Sequence, residues 1–351
     1  MRIRIILVLI IFINLNITAQ YTDQINSNRP GESIGAFSVG TGVIQFEAGS
    51  EYRSYKHKSY NNSKVTGGVG FFSLRWGFLQ EQLEFTYEGS YLVGKLTSKT
   101  VNKNLEYKQQ GFLRNFIGLK YLVYDPFKKA QETNVYSWDT NNKFQIRNLI
   151  PALSINIGVN FNLDQDNNPF PYGDIFDIIH RPLFFQNLFG RGIKEPLLSY
   201  RATLATQSHF LGTWVFVTNF SYDRIKTDFT ELSYILTLTH SFSPKWSVYM
   251  ETHGISSDIY VDQIFRTGAA FLFTDDIQIE GTLGLNSKDT PSLFSINAGV
   301  SYRLDFHKDN NRPTDAKESN KALKKDLKAQ SKQLRKAEKV QKKARRRARR
   351  N

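Results

Sequence analysis

The chain has no cysteine among its 351 residues, which excludes disulfide scaffolds, thiolate metal sites, thiol nucleophiles and a lipid-modified cysteine. It also has no uninterrupted run of 18 apolar residues, and a helix that crosses a bilayer needs ~20. Between residues 38 and 306 no stretch repeats its apolar side chains at helical spacing, so the amphipathic helices of a bundle or an α/β protein are missing too. Metal-ligand spacings, phosphate-binding glycine loops and nucleotide fingerprints are absent, and no cofactor or metal is expected.

What is present begins with a leader. Arg2 and Arg4 precede an apolar run over residues 5–13, and a short polar stretch ends at Ala19. That run is too short to span a membrane and has the layout of a signal peptide, residues 1–19, cleaved after Ala19. The formal charge of +14 is concentrated at the other end. Residues 307–351 hold 18 Lys plus Arg against five Asp plus Glu, so the preceding body is close to neutral. An exported chain does not meet nucleic acid, and no nucleic-acid partner is expected.

Period-2 alternation recurs throughout residues 36–306. In residues 292–306 Phe294, Ile296, Ala298, Val300, Tyr302, Leu304 and Phe306 alternate with Ser295, Asn297, Gly299, Ser301, Arg303 and Asp305. Strand centres fall near 48, 72, 87, 116, 156, 202, 218, 236, 250, 268, 281 and 299. Twelve strands of this length predict an all-β fold, a transmembrane antiparallel up-and-down barrel with even strand number. A secreted soluble barrel or sandwich would alternate in the same way. Against it stand the strand lengths and two aromatic girdles, with Trp76, Trp214 and Trp246 at inner strand ends and Tyr52, Tyr91 and Tyr222 towards the outer ends. Loop asymmetry points the same way: short inner turns near 78–81, 209–213, 243–246 and 274–276, and long outer loops over 93–110 and 163–196. Residues 125–147 break the rule as a long inner connection.

This register sends Glu47, Glu51, Arg53, Arg75, Glu84, Glu88, Arg114, Lys120, Arg201, Glu251, Arg266, Glu280, Arg303 and Asp305 to the lumen. Two arrangements suit them: a salt-bridged polar core that fills the barrel, or a narrow wet passage selecting solutes by sign and size. Residues 20–35 are too irregular for a strand, and form either a plug in the lumen or a periplasmic leader. His253, Ser256 and Asp258 near one strand end do not form a recognised catalytic order, and neither do His240 and Ser241. No catalytic residue is assigned, and the chain is not expected to be an enzyme.

Two motifs carry a resemblance. Asn28-Arg29-Pro30-Gly31-Glu32-Ser33, followed by Gly42-Val43-Ile44-Gln45-Phe46-Glu47-Ala48-Gly49, resembles the opening of the bacterial outer-membrane family named for the meta pathway of phenol degradation, often described as transporters. Asn28 stands where that family usually has an acidic residue. Asp276-Ile277-Gln278-Ile279-Glu280-Gly281 and the stretch ending Gly299-Val300-Ser301-Tyr302-Arg303 resemble its final hairpin. The resemblance implies an outer-membrane barrel and transport of a small solute, hydrophobic or aromatic in class, without phenol itself being carried over.

The tail, residues 307–351, reads as a basic helix or a disordered segment. An even strand count places it in the periplasm with the N-terminus. There Lys342, Lys343, Arg345, Arg346, Arg347, Arg349 and Arg350 are candidates to bind anionic cell-wall polymer or an acidic envelope protein. The expected partners of the barrel are outer-membrane lipid and a small-molecule solute. A second expectation is a sealed barrel that anchors the cell wall or a partner complex through this tail.

Overall fold

The computed structural model describes residues 24–29, 31–58, 62–99, 104–126, 150–161, 197–227, 230–257 and 261–307. Twelve strands run in chain order: β1 (Val43–His57), β2 (Ser63–Gly77), β3 (Leu83–Lys99), β4 (Asn104–Tyr124), β5 (Ala152–Phe161), β6 (Leu198–Phe210), β7 (Trp214–Ile225), β8 (Glu231–Ser241), β9 (Trp246–Ser257), β10 (Val261–Thr274), β11 (Ile277–Asn286) and β12 (Ser292–Asp305). Each pairs antiparallel with its neighbours in sequence, and β1 pairs with β12 to close the barrel. Val43 lies opposite Asp305 and Lys56 opposite Ser292. The chain therefore enters the first strand and leaves the last at the same end, here the proximal end.

The distribution of polarity is inverted relative to a water-soluble protein. Along β12 the inward Ser301 is fully buried while its neighbour Val300 is 44% exposed. In β1 the inward Gln45, Glu47, Glu51 and Arg53 are buried, whereas Tyr52 is exposed. Phe72, Ile117, Leu119, Ile157, Phe220, Met250, Phe265 and Leu283 all project from the outer face. Such a surface would be costly against water, but hydrocarbon accepts it, and closure leaves no unpaired sheet edge for lipid to meet. Trp76, Trp214 and Trp246 all sit at proximal strand ends. Trp214 stacks on His240 with ring centroids 4.2 Å apart, and Trp246 packs on Phe271 at 4.8 Å. The fourth tryptophan, Trp138, lies outside the described residues.

One expectation of the loop pattern fails. Residues 93–110 are not a long loop: β3 continues to Lys99 and β4 starts at Asn104. Strands of 17 and 21 residues run well past the ~9 to 11 that cross a bilayer. In this extension Lys95 and Glu106 pair at 2.7 Å, both exposed. Water on both sides removes the demand for an apolar face, so the alternation that marks a strand in lipid fades while the ladder persists. The stretches 163–196 and 127–147, the signal peptide and the tail beyond His307 lie outside the described residues.

Candidate functional site: an N-terminal segment inside the barrel

Six of the fourteen lumen side chains named above gather at one object, residues 24–29 and 31–39 of the chain itself, or at the residues that seat it. The segment starts at the proximal rim, where Ile25 N–H donates to Asp275 O at 2.8 Å in the turn between β10 and β11. It rises to a tip at Arg29 and Glu32 and returns towards the rim, with Asn28 Oδ1 accepting from Gly35 N–H at 2.9 Å to tie the two limbs. Because it is irregular, its backbone polar groups have no ladder, and the barrel wall must satisfy them.

The returning limb rests on a buried charge network. Arg75 binds Glu84 through two bonds, Nε–Oε1 at 2.7 Å and Nη2–Oε2 at 3.1 Å, and Lys120 Nζ lies 3.2 Å from the same carboxylate. Two cations against one anion leave positive charge for carbonyl oxygens, and the segment supplies them. Arg75 donates to Asn26 O at 2.6 Å and Phe37 O at 3.1 Å. Lys120 donates to Gly35 O at 3.1 Å and Phe37 O at 2.9 Å. Glu84 in turn accepts from Val39 N–H at 2.9 Å. Ala36 and Phe37 pack with Leu122 and Ala152.

The rising limb lies across the seam between the first and last strands. Ser27 Oγ donates to Glu47 of β1 at 3.1 Å and lies 2.8 Å from Ser301 Oγ of β12. Glu47 also accepts from Asn28 N–H at 3.1 Å, Gln45 Nε2 at 2.8 Å and Ser73 Oγ at 3.0 Å. Gln278 donates to Arg29 O at 2.9 Å and to Glu280 at 3.2 Å. The glutamines and glutamates of the two end motifs are therefore the socket, and the Asn-Arg-Pro-Gly-Glu box is what the socket holds.

At the tip, Arg29 lies over the Phe71 ring at 4.0 Å and pairs with Glu32 at 3.2 Å. Phe71 can lie flat because Gly49 and Gly299 offer no Cβ to meet it. Gly31 has a similar constraint, since a Cβ there would stand 2.4 Å from Glu251 Oε2. Glu251 accepts from Glu32 N–H at 3.0 Å, from Thr237 at 2.9 Å and from Arg266 at 3.0 Å. Asn219 imitates a ladder partner, accepting from Ile34 N–H at 2.6 Å and donating to Ile34 O at 2.8 Å. Burial alone would raise the Glu32 pKa, but the charges of Arg29, Arg266, Arg114 and Arg53 outweigh it and hold the carboxyl well below the usual carboxylate range.

Beyond the tip is a cavity of about 130 Å³ bounded by Arg29, Glu32, Arg53, Glu88, Arg114 and Arg201 among others. Arg53 binds Glu51 through two bonds, at 2.9 and 2.7 Å. Glu88 serves two guanidiniums, Arg201 at 2.7 Å and Arg114 at 3.4 Å, and Arg201 is stacked 3.5 Å over Phe116. Arg303 pairs with Asp305 at 2.9 Å near the proximal rim. The structure thus brings Glu47, Arg75, Glu84, Lys120, Glu251 and Glu280 to the segment or its socket, and Glu51, Arg53, Glu88, Arg114 and Arg201 to the cavity. Arg266 links the two through Glu251. The His253–Ser256 pairing is separated by the strand's own geometry, because residues three apart face opposite sides of the sheet; Asp258 lies outside the described residues.

Sequence reasoning missed two sets of residues. One is the neutral socket of Gln45, Gln207, Asn219 and Gln278, whose signal was a polar amide at an inward position. The other is an apolar cluster on one side of the lumen towards the distal ends of β12 and β1 to β4: Tyr55, Val65, Val69, Leu92, Leu113 and Leu293 are buried apolar side chains at inward positions. Tyr55 lies directly opposite Leu293 and Val65, and Val69 opposite Leu92.

These features define a membrane-spanning antiparallel β-barrel that holds its own N-terminal segment in a charged lumen. The chain belongs to the family described as "Putative MetA-pathway of phenol degradation", which it matches over residues 27–175 and 187–304. Among solved structures it is similar to an outer-membrane channel from Pseudomonas putida F1, with 13% identity, 79% of this chain and 100% of that chain covered, and a TM-score of 0.46. It is also similar to the NanC porin, with 11% identity, coverage of 74% and 100%, and a TM-score of 0.42. The CymD monoaromatic hydrocarbon channel shares 10% identity, with coverage of 76% and 90% and a TM-score of 0.35. No curated protein matches the chain.

Proposed function

We propose that this protein is an outer-membrane channel for small solutes, closed at rest by residues 24–39 as a plug. The observation that carries the reading is the seating of that segment: side chains of β1, β2, β3, β4, β6, β7, β9, β11 and β12 bond or stack on it inside the lumen. A barrel needed only as an anchor could be filled by its own wall side chains, whereas a separate segment held by hydrogen bonds can leave as a unit. The apolar cluster on one side of the distal lumen favours solutes with an apolar or aromatic body, and the charged cavity favours a polar group on them. In this reading the proximal end faces the periplasm, the signal peptide directs export, and the tail begins on the periplasmic side.

The test compares the full mature chain with a variant lacking residues 24–39, each refolded in detergent and placed in planar bilayers. Folding is checked by heat-modifiable gel migration. The full chain is expected to show rare, brief openings and the variant a steady pore. A folded variant that passes no ion would overturn the channel reading.

A further inference from the structure

The plug tip and the cavity above it share a chemistry that the plugging role alone does not require. Glu32 is the plug's one carboxylate at the cavity, and Arg29, Arg53, Arg114 and Arg201 border the same space. Two of those guanidiniums are held flat, Arg29 on Phe71 and Arg201 on Phe116, an arrangement that fixes their donors before any ligand arrives. Glu88 is shared between Arg114 and Arg201, and Glu51, Asp223 and Glu231 border the same cavity. Arg266 reaches the tip through Glu251, which also accepts the Glu32 backbone N–H. Distal to the cavity, on β12 and β1 to β4, lie Tyr55, Val65, Val69, Leu92, Leu113 and Leu293, a buried apolar cluster on one side of the lumen.

We propose that this vestibule is a binding site for a small organic carboxylate with an apolar body, and that Glu32 occupies its carboxylate position until the solute displaces it. The inference rests on the channel reading above and adds to it the solute class and the trigger. Exchanging one carboxylate for another within a set of arginines conserves ion pairs, so the balance is close enough for a modest solute concentration to shift it. A ligand moves a two-state equilibrium only by its differential affinity for the two states, and here the solute has a place at the arginines only when Glu32 has left. With Glu32 displaced, the tip loses its pairing with Arg29, and the Glu32 N–H bond to Glu251 is lost as the backbone moves.

The experiment uses the full mature chain in planar bilayers, with hexanoate, hexylammonium, 1-hexanol or acetate added on the distal side. Hexanoate is expected to raise the open fraction by roughly 5- to 150-fold, the range of ordinary coupling between sites. Hexylammonium and 1-hexanol are expected to have no such effect, and acetate a smaller one. Glu32→Gln should open without solute and respond little to hexanoate. Equal opening by all three hexyl compounds would overturn the carboxylate assignment, and acetate equal to hexanoate would overturn the apolar body. A Glu32→Gln variant that stays closed yet responds to hexanoate like the parent would show that Glu32 is not the placeholder. If that variant does not fold, the four-solute comparison on the parent chain still decides. Where the variant lacking 24–39 conducts but hexanoate leaves the full chain unaffected, this inference fails and the channel reading stands; where the folded deletion variant is silent, both fail.

Discussion

Replacing Glu84 by Gln should be among the most damaging single changes in the lumen. Arg75 and Lys120 have side chains 2% and 0% exposed, and Glu84 is the carboxylate between them. It accepts from Arg75 at 2.7 and 3.1 Å and from Val39 N–H at 2.9 Å, and it lies 3.2 Å from Lys120. Glutamine keeps the shape and an acceptor for Val39 but leaves two buried cations facing each other. Removing one partner of a buried ion pair costs about 3–5 kcal/mol, and hydrogen bonds to charged groups are individually worth ~1.5–3 kcal/mol, so the lower figure is already demanding. The check is a urea titration of detergent-folded protein followed by tryptophan fluorescence. A second substitution, Lys120→Met in the Glu84→Gln background, restores the original net charge of the cluster and should recover about 1–3 kcal/mol as a coupling energy. A Glu84→Gln variant within 1 kcal/mol of the parent, or a double variant no better than the single, would refute the claim that this carboxylate holds the cations in place.

Three further outcomes follow from the register, the tip and the tail. Phe220→Arg, on the outer face, should cost ~2–4 kcal/mol near the bilayer midplane, while the adjacent Ser221→Arg, which points to the cavity, should cost clearly less in the same titration; equal costs would mean that the inside and outside of β7 are exchanged. Gly31→Ala places a Cβ 2.4 Å from Glu251 Oε2, and overpacking of that kind costs about 1–3 kcal/mol, so proteolysis within residues 24–39 should speed up while the barrel keeps its heat-modifiable form. Truncation after Phe306 should leave insertion intact and abolish retention on anionic cell-wall material, and salt should elute the full chain because exposed charges are screened beyond ~8 Å at physiological ionic strength; retention that survives high salt would argue against an electrostatic tether.

The barrel was legible because lipid imposes a simple rule on sequence. Wherever a strand crosses hydrocarbon, its alternate side chains must be apolar, and Val300 beside Ser301 or Leu283 beside Thr282 records that demand directly. The rule ends where the lipid ends, which is why the far halves of β3 and β4 were read as a loop. The inward charges were legible for the same reason, but their partners were not. Parity says that Glu47 and Arg75 face inward; it cannot say that Glu47 accepts from Ser27 and Asn28 while Arg75 reaches Asn26 and Phe37. Nor does parity choose between a plug and a leader for residues 20–35, since an irregular segment has no period and its hydrogen-bond partners lie up to 274 positions away, as for Ser27 and Ser301. The apolar cluster was overlooked because Val65 and Leu92 were not weighed as lumen residues once charge had been taken as the mark of the interior.

The segment straddles the seam where the first strand meets the last. Ser27 touches Glu47 on the first strand and Ser301 on the last, and Gln278 on the penultimate strand holds the carbonyl of Arg29. None of these contacts can form together until the final strand has found the first, so the seat does not exist in a partly built sheet. An open sheet caught during insertion would have nothing in its lumen and an unpaired edge besides. Once the seam is shut, the segment acts as a stitch drawn across it from inside, and unseating it loosens the join that was made last. Assembly of the barrel and seating of the segment are then one event.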